Sequence, residues 1–160
     1  MTATEIATQI RTRLKSEMGL TGKQVSVKAK SFSMGQSVDI FVKAITDFRK
    51  IEGIAYEFQH IRRDEVTGEV LSGGNTYISV EPDWDFRSAL SLSLMEVSSA
   101  IWGKLAEDGD MVEHGGFELV RSRDAVRIYK GDELICTCDV SPGRIADALA
   151  RAMIVGVPSR

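Results

Sequence analysis

Cys136 and Cys138 are the only thiols of the chain, and His60 and His114 its only imidazoles. Thiolate and imidazole are the groups that most readily supply a nucleophile, a general base or a transition-metal ligand near neutral pH. Their placement argues against each role. Two residues apart on a strand, the cysteines project to one face with Cα atoms about 7 Å apart, at the outer limit for a disulfide. Neither a second cysteine pair nor a histidine pair stands near them to complete a zinc site. The expectation is a pair of core thiols sharing a face with Leu134 and Val140.

His60 is expected at the end of a helix beside Arg62, Arg63, Asp64 and Glu65, and His114 closes the acidic stretch that runs from Glu107 to Glu113. A metallohydrolase would want two histidines one helical turn apart, and a nucleophilic triad a Ser or Cys on a sharp Gly-flanked turn; neither occurs. Asp108, Asp110 and Glu113 offer oxygen ligands for a hard cation but lack the register of an EF-hand loop, so a solvated loop is expected there. Gly73-Gly74 and Gly115-Gly116 precede strands, whereas phosphate-gripping loops lead into a helix N-terminus. Which of the 23 acids meet in space is not written in the sequence, so a glycosidase-like pair stays open. The expectation is a protein with no metal, no cofactor and no catalysis. A hydrolase built on His60 or His114 is the minor alternative.

The feature with a physical direction is charge. Residues 1–50 carry nine Lys or Arg against four acids, a net +5, which leaves −8 on the remainder of a chain whose total is −3. Arg11 and Lys15 stand one helical turn apart, Lys28 and Lys30 share the outward face of a strand, and Phe32 and Met34 occupy the following turn. Cations beside an exposable aromatic can grip phosphates and stack a base, and the same residues can meet an acidic or mixed protein surface. Arg62 and Arg63 add to this basic set. For a protein partner, Phe41, Tyr77 and Trp84 are the aromatic anchors to look for. The candidate binding residues are thus Arg11, Lys15, Lys28, Lys30, Phe32, Arg62 and Arg63.

The elements that must position these residues follow from hydrophobic period. Thr2 and Glu5 have capping-box spacing, Ile6, Ile10, Leu14 and Met18 form a helical stripe, and Gly19 ends it. Val25, Val27 and Ala29, then Val38, Ile40 and Val42, alternate with polar residues as a hairpin of two half-buried strands. Thr46 or Asp47 caps a helix whose inward face is Phe48, Ile51, Ala55, Phe58 and Ile61. Asp64–Asn75 reads as a loop and Tyr77–Glu81 as a strand stopped by Pro82. Asp83 or Asp85 then caps one long helix with Leu90, Leu94, Val97, Ile101 and Leu105 on its apolar stripe. Phe117–Ser122, Ala125–Lys130 and Glu133–Val140 form a three-stranded meander, turned at Arg123-Asp124 and Gly131-Asp132. Ser141-Pro142 opens a last helix with Ile145, Leu149 and Met153 on one edge, ended by Gly156 and Pro158.

The order α-β-β-α-β-α-β-β-β-α predicts an α+β fold, antiparallel sheet with helices packed on one face. At 160 residues, 43% hydrophobic, the chain suits one compact unit, 1–160, or two subdomains, 1–82 and 83–160. No apolar run nears the roughly 20 residues of a membrane span, so no membrane partner is expected. Thr, Glu and Arg near the start offer no apolar core for a signal peptide, so a cytoplasmic protein is expected. The meander needs two edges, and an uncovered edge invites a second copy, so a homodimer is expected.

The segment Val25–Lys43, led in by the helix around Ile10–Leu14, resembles a small domain of the large polyvalent proteins of phages and conjugative elements. The likeness spans residues 5–81 and is carried by Ser31-Phe32-Ser33, Gly35, Ser37-Val38-Asp39 and Tyr77. Where such domains have a Trp-containing strand end, this chain has Phe41-Val42-Lys43. The resemblance implies a mobile-element origin and an accessory role, blunting a host defence system by binding one of its parts, with no catalytic residues. A protein, met by the basic hairpin face or by the acidic C-terminal half, is thus the leading partner, and nucleic acid, held by the basic hairpin, the alternative.

Overall fold

The structure, a computed structural model, describes residues 1–107 and 111–156. Asp108 and Asp110, weighed above as cation ligands, and Pro158 lie outside them. The chain divides into two compact units, with the boundary between Asp83 and Trp84.

Unit 1 opens with α1 (Ala3–Met18), where Thr2 and Glu5 form the reciprocal capping box and Gly19 closes the helix at φ +67°. The two Thr2 contacts hold the Glu5 carboxyl below the usual carboxylate range. β1 (Val25–Phe32) and β2 (Gly35–Val42) pair as the expected antiparallel hairpin, Val25 opposite Val42 and Phe32 opposite Gly35. α2 (Phe48–Tyr56) starts at Asp47, whose side chain accepts the Lys50 N–H. It stops sooner than its apolar pattern suggests, so Phe58 and Ile61 lie beyond it and Ile54 supplies the burial instead.

β3 (Asn75–Pro82) joins β2 in parallel, Val38 beside Ile78 and Ile40 beside Val80, making the sheet β1-β2-β3 mixed and not wholly antiparallel. The connection through α2 is long enough for a crossover, which a parallel pair requires. Val25, Val27, Val38, Ile40, Val42, Ile78 and Val80 all turn to the helical side and are buried there with Ile6, Ile10 and Leu14 of α1 and Phe48, Ile51 and Ile54 of α2. Each such side chain contributes about 1.5–3 kcal/mol by leaving water.

Unit 2 carries the expected α+β order with two additions. The long helix is two, α3 (Trp84–Ser93) and α4 (Met95–Glu107). Ser93 Oγ donates to the Leu90 carbonyl at 2.7 Å, while the Leu94 N–H is shared between Leu90 and Ser91; a serine that competes for backbone in this way loosens a helix. A short strand, β4 (Met111–His114), precedes the meander of β5 (Phe117–Ser122), β6 (Ala125–Lys130) and β7 (Glu133–Asp139), so the antiparallel sheet runs β4-β5-β6-β7. His114 is therefore a strand residue, and β5, expected at an edge, is covered by β4.

α5 (Pro142–Val155) is capped by Ser141 with Pro142 in its first turn. Ile145, Leu149 and Ala152 pack with Ile101 and Leu105 of α4 on Leu119, Val126 and Ile128 of the sheet. Ala146, Ala150 and Ile154 are buried too, so α5 is covered on more than the single edge expected. Among the described residues no helix is long and apolar enough to cross a membrane.

The β5–β6 turn contains Arg123 at φ +35°, the one described non-glycine residue at positive φ. That conformation costs an L-residue about 1 kcal/mol, which glycine avoids apart from its greater freedom in the unfolded chain. Arg123→Gly is expected to raise the stability of unit 2 by about 0.5 kcal/mol, read as a higher urea midpoint at unchanged slope. A lower midpoint would show that the arginine side chain matters more than its backbone.

Candidate macromolecule-binding face

Strand alternation that sends the valines and isoleucines inward sends a second set to the other side of the β1-β2-β3 sheet. Cross-strand rows on that side are Ser26, Phe41 and Glu81; Lys28, Asp39 and Ser79; Lys30, Ser37 and Tyr77; and Phe32, Gly35 and Asn75. Lys28, Lys30, Phe32 and Glu81 are exposed, whereas Phe41, Asp39, Tyr77 and Ser79 are half-buried.

These side chains are fixed by one another. Lys28 Nζ stands 5.1 Å from the centre of the Phe41 ring. Lys30 Nζ lies 3.2 Å from Asp39 Oδ2, and the Ser79 hydroxyl donates to Asp39 Oδ1 at 3.0 Å. The Phe32 and Tyr77 rings stack with centroids 6.2 Å apart and planes 26° from parallel. They come from the two outer strands and can meet because the middle strand offers only Gly35 and Ser37 between them. Small residues in the centre and aromatic ones at the sides thus build an exposed platform, with Phe32 48% accessible.

Asn75 anchors one end. Its side chain accepts the Arg62 N–H at 2.8 Å and donates to the Leu71 carbonyl at 2.7 Å and the Tyr77 hydroxyl at 3.3 Å. It is 1% exposed, and it ties the segment between α2 and β3 to the sheet. His60 exchanges backbone hydrogen bonds with Thr76 there. Arg62 and Arg63 are exposed on this segment; Arg63 Nη1 donates to the Gly68 carbonyl.

Of the candidate residues, the structure brings Lys28, Lys30 and Phe32 onto one face, joined by Phe41 and Tyr77. Arg62 is linked to that face through Asn75. Arg11 and Lys15 belong to α1 on the opposite side of the sheet, where Arg11 reaches round to donate to the Val27 carbonyl at the rim of β1. Trp84 belongs to unit 2, where it is 68% exposed beneath the Arg87 guanidinium, 4.9 Å away. The pairing of Asp39 with Lys30 and Ser79 was not legible in the sequence; only the strand register brings them together.

The cysteines depart from expectation. A bulge between Ile128 and Tyr129 on one strand and Ile135 on the other sets Cys136 opposite Ile128 but Leu134 opposite Tyr129. Leu134 is thereby on the other face, 48% exposed, and does not share the thiols' side. Cys136 and Cys138 are half-buried and unpaired, at a polar groove of about 240 Å³ with Asp139, Arg144 and Asp147. Burial pushes both thiols up, Cys138 to about 11 with the neighbouring Cys136 and acids adding to the effect. They remain protonated at neutral pH and are poor nucleophiles.

Two results follow. Iodoacetamide at pH 8 is expected to label the folded chain far more slowly than the urea-unfolded chain, and equal rates would refute the burial. The unfolded thiols ionise first, so stability is unaffected below the ordinary thiol value of 9.0 and falls as pH rises from there towards about 11. Among the described residues no group of three His, Cys, Asp or Glu is gathered to hold a metal ion. Comparison with known proteins finds no family model, no curated protein and no solved structure that matches this chain.

Proposed function

We propose that this chain is a non-catalytic, protein-binding accessory protein of a mobile genetic element, which inhibits a host defence system by contact through the open face of the β1-β2-β3 sheet. The observation that carries this reading is the composition of that face. Lys28 and Lys30 are matched by Asp39 and Glu81 while Phe32, Phe41 and Tyr77 stand among them. Aromatic anchors within balanced charge suit a protein surface, whose hot spots are aromatic residues ringed by polar ones. The resemblance at Val25–Lys43 to domains of phage and conjugative-element proteins supports the mobile-element setting.

The test is the triple variant Lys28→Glu, Lys30→Glu, Phe32→Ala, used as affinity bait in host lysate beside the unaltered chain. A stoichiometric protein held by the unaltered chain at about 150 mM salt and lost by the variant is the expected result. Identical retention by both, or turnover of a small substrate by the purified chain, would reject the reading.

Nucleic acid is the second reading, favoured by the stacked Phe32–Tyr77 pair beside Lys30, which is the arrangement of a base-stacking platform. It requires counterion release, so affinity for a mixed oligonucleotide must fall steeply between about 50 and 200 mM salt. Weak, salt-independent binding would dispose of it.

A further inference from the structure

We propose that the outer edge of β1 accepts an extended acidic peptide of the partner as a fourth strand of the sheet. This rests on the protein-binding reading and names the mode of recognition.

Along this edge a longer run of backbone groups is open than at the start of β3, where the segment after α2 lies against the sheet. In an antiparallel hairpin each residue presents its N–H and C=O to one side, alternately towards and away from its partner strand. Arg11 meets the Val27 carbonyl from outside, and the Val25 N–H is taken by the Thr21 carbonyl at 3.0 Å, so the odd-numbered residues of β1 point outward. The N–H of Val27 and both backbone groups of Ala29 and Ser31 therefore face away from β2, without a hydrogen-bond partner among the described residues. On β3 the first part of the outer edge is covered: the Thr76 N–H donates to the His60 carbonyl at 2.7 Å, the His60 N–H donates to the Thr76 carbonyl at 3.1 Å, and the Ile78 N–H donates to Gln59 Oε1 at 3.4 Å.

A groove of about 450 Å³ lies beside the Val25–Val27 end of that edge, lined by Leu14, Leu20, Val25 and Val27 together with Arg11 and Lys15. An added strand would turn alternate side chains into this groove and the others to the open face beside Lys28 and Lys30. Arg11, Lys15, Lys28 and Lys30 thus border one strand position; Lys30 shares its charge with Asp39, while no acid among the described residues is paired with Arg11 or Lys15. A second copy of the chain would bring the same lysines against each other, which disfavours self-pairing, whereas a segment alternating apolar and acidic residues satisfies both sides. Arg11 closes the Val27 carbonyl with a side chain only; an incoming strand that takes this carbonyl frees the guanidinium for a carboxylate of the peptide.

The probe is a fluorescent peptide of about eight residues alternating valine and glutamate, titrated against the whole chain. It is expected to bind at least about tenfold more tightly than the same peptide with lysine for glutamate. Amide exchange should slow at Val27, Ala29 and Ser31 but not at Lys28, whose N–H already serves the hairpin. Ala29→Pro removes an outward donor and no ladder bond, so it should weaken the peptide about tenfold at unchanged unfolding midpoint. Exchange at Val27, Ala29 and Ser31 that the peptide leaves unaltered overturns the proposal whether or not the proline variant folds, and so does a folded Ala29→Pro chain that binds equally well. A lysate partner lost by Lys28→Glu, Lys30→Glu yet held by folded Ala29→Pro would retain the open-face reading and reject strand addition alone.

Discussion

Gly35→Ala is expected to lower the stability of unit 1 by about 2–3 kcal/mol, and to scatter the binding face with it. A Cβ at this position would lie 2.6 Å from the Asn75 carbonyl oxygen, a distance no ordinary contact reaches. The obstructing atom is backbone of the paired strand, so relief requires β2 and β3 to part at Gly35 and Asn75. Asn75 also holds Arg62, Leu71 and the Tyr77 hydroxyl, and Tyr77 is the partner of Phe32. The measurement is urea unfolding together with the aromatic NMR signals of Phe32 and Tyr77, which should lose their mutual ring-current shifts. Gly53→Ala supplies the contrast. It lies within α2 where an added Cβ meets nothing within 4 Å, so it should stabilise by about 0.5–1 kcal/mol. If both alanines behave alike, the close strand approach at Gly35 is wrong.

Leu149→Ala is expected to cost unit 2 about 3–4 kcal/mol. Leu149 is 1% exposed and sits where α5 meets both α4 and the sheet, among Ile101, Leu105, Leu119, Val126 and Ile128. Residues from several elements fix the walls of the cavity left behind, which limits their collapse. Both tryptophans of the chain, Trp84 and Trp102, belong to this unit, so tryptophan emission follows its unfolding. Met153→Leu, at a half-buried neighbouring position on the same helix, should change the midpoint by less than about 1.5 kcal/mol. A Leu149→Ala loss no larger than this would mean that α5 does not organise the core.

Elements whose signal is local were legible in the sequence. Thr2 with Glu5, Ser141 with Pro142, and Gly131 with Asp132 each carry their own turn or cap chemistry, and those boundaries are where the residues imply. What was not legible depends on partners distant in sequence. Ile78 and Val80 alternate identically whether β3 runs with β2 or against it, so the parallel pairing needs knowledge of how the crossover packs. The bulge at Ile135 leaves the alternation Leu134, Cys136, Cys138 unbroken in the text while reversing Leu134 in space. β4 was hidden because Met111–His114 is short and bordered by charge.

The candidate face divides the same way. Lys28, Lys30 and Phe32 follow from period two along β1. Their company of Asp39, Phe41 and Tyr77 follows only once register is known. Arg11 was grouped with them by charge, yet its guanidinium serves the backbone of Val27, a role no charge count distinguishes.

The parallel β2–β3 pairing has a consequence for synthesis on the ribosome. β1 and β2 are neighbours in the chain and can zip together soon after Val42 emerges, but the far side of β2 must wait for Asn75–Pro82 to be translated. Throughout that interval Val38, Ile40 and Val42 border a bare backbone edge. Nascent chains that have emerged from the ribosome as far as residues 43 to 74 should therefore be held by chaperones and be prone to clump.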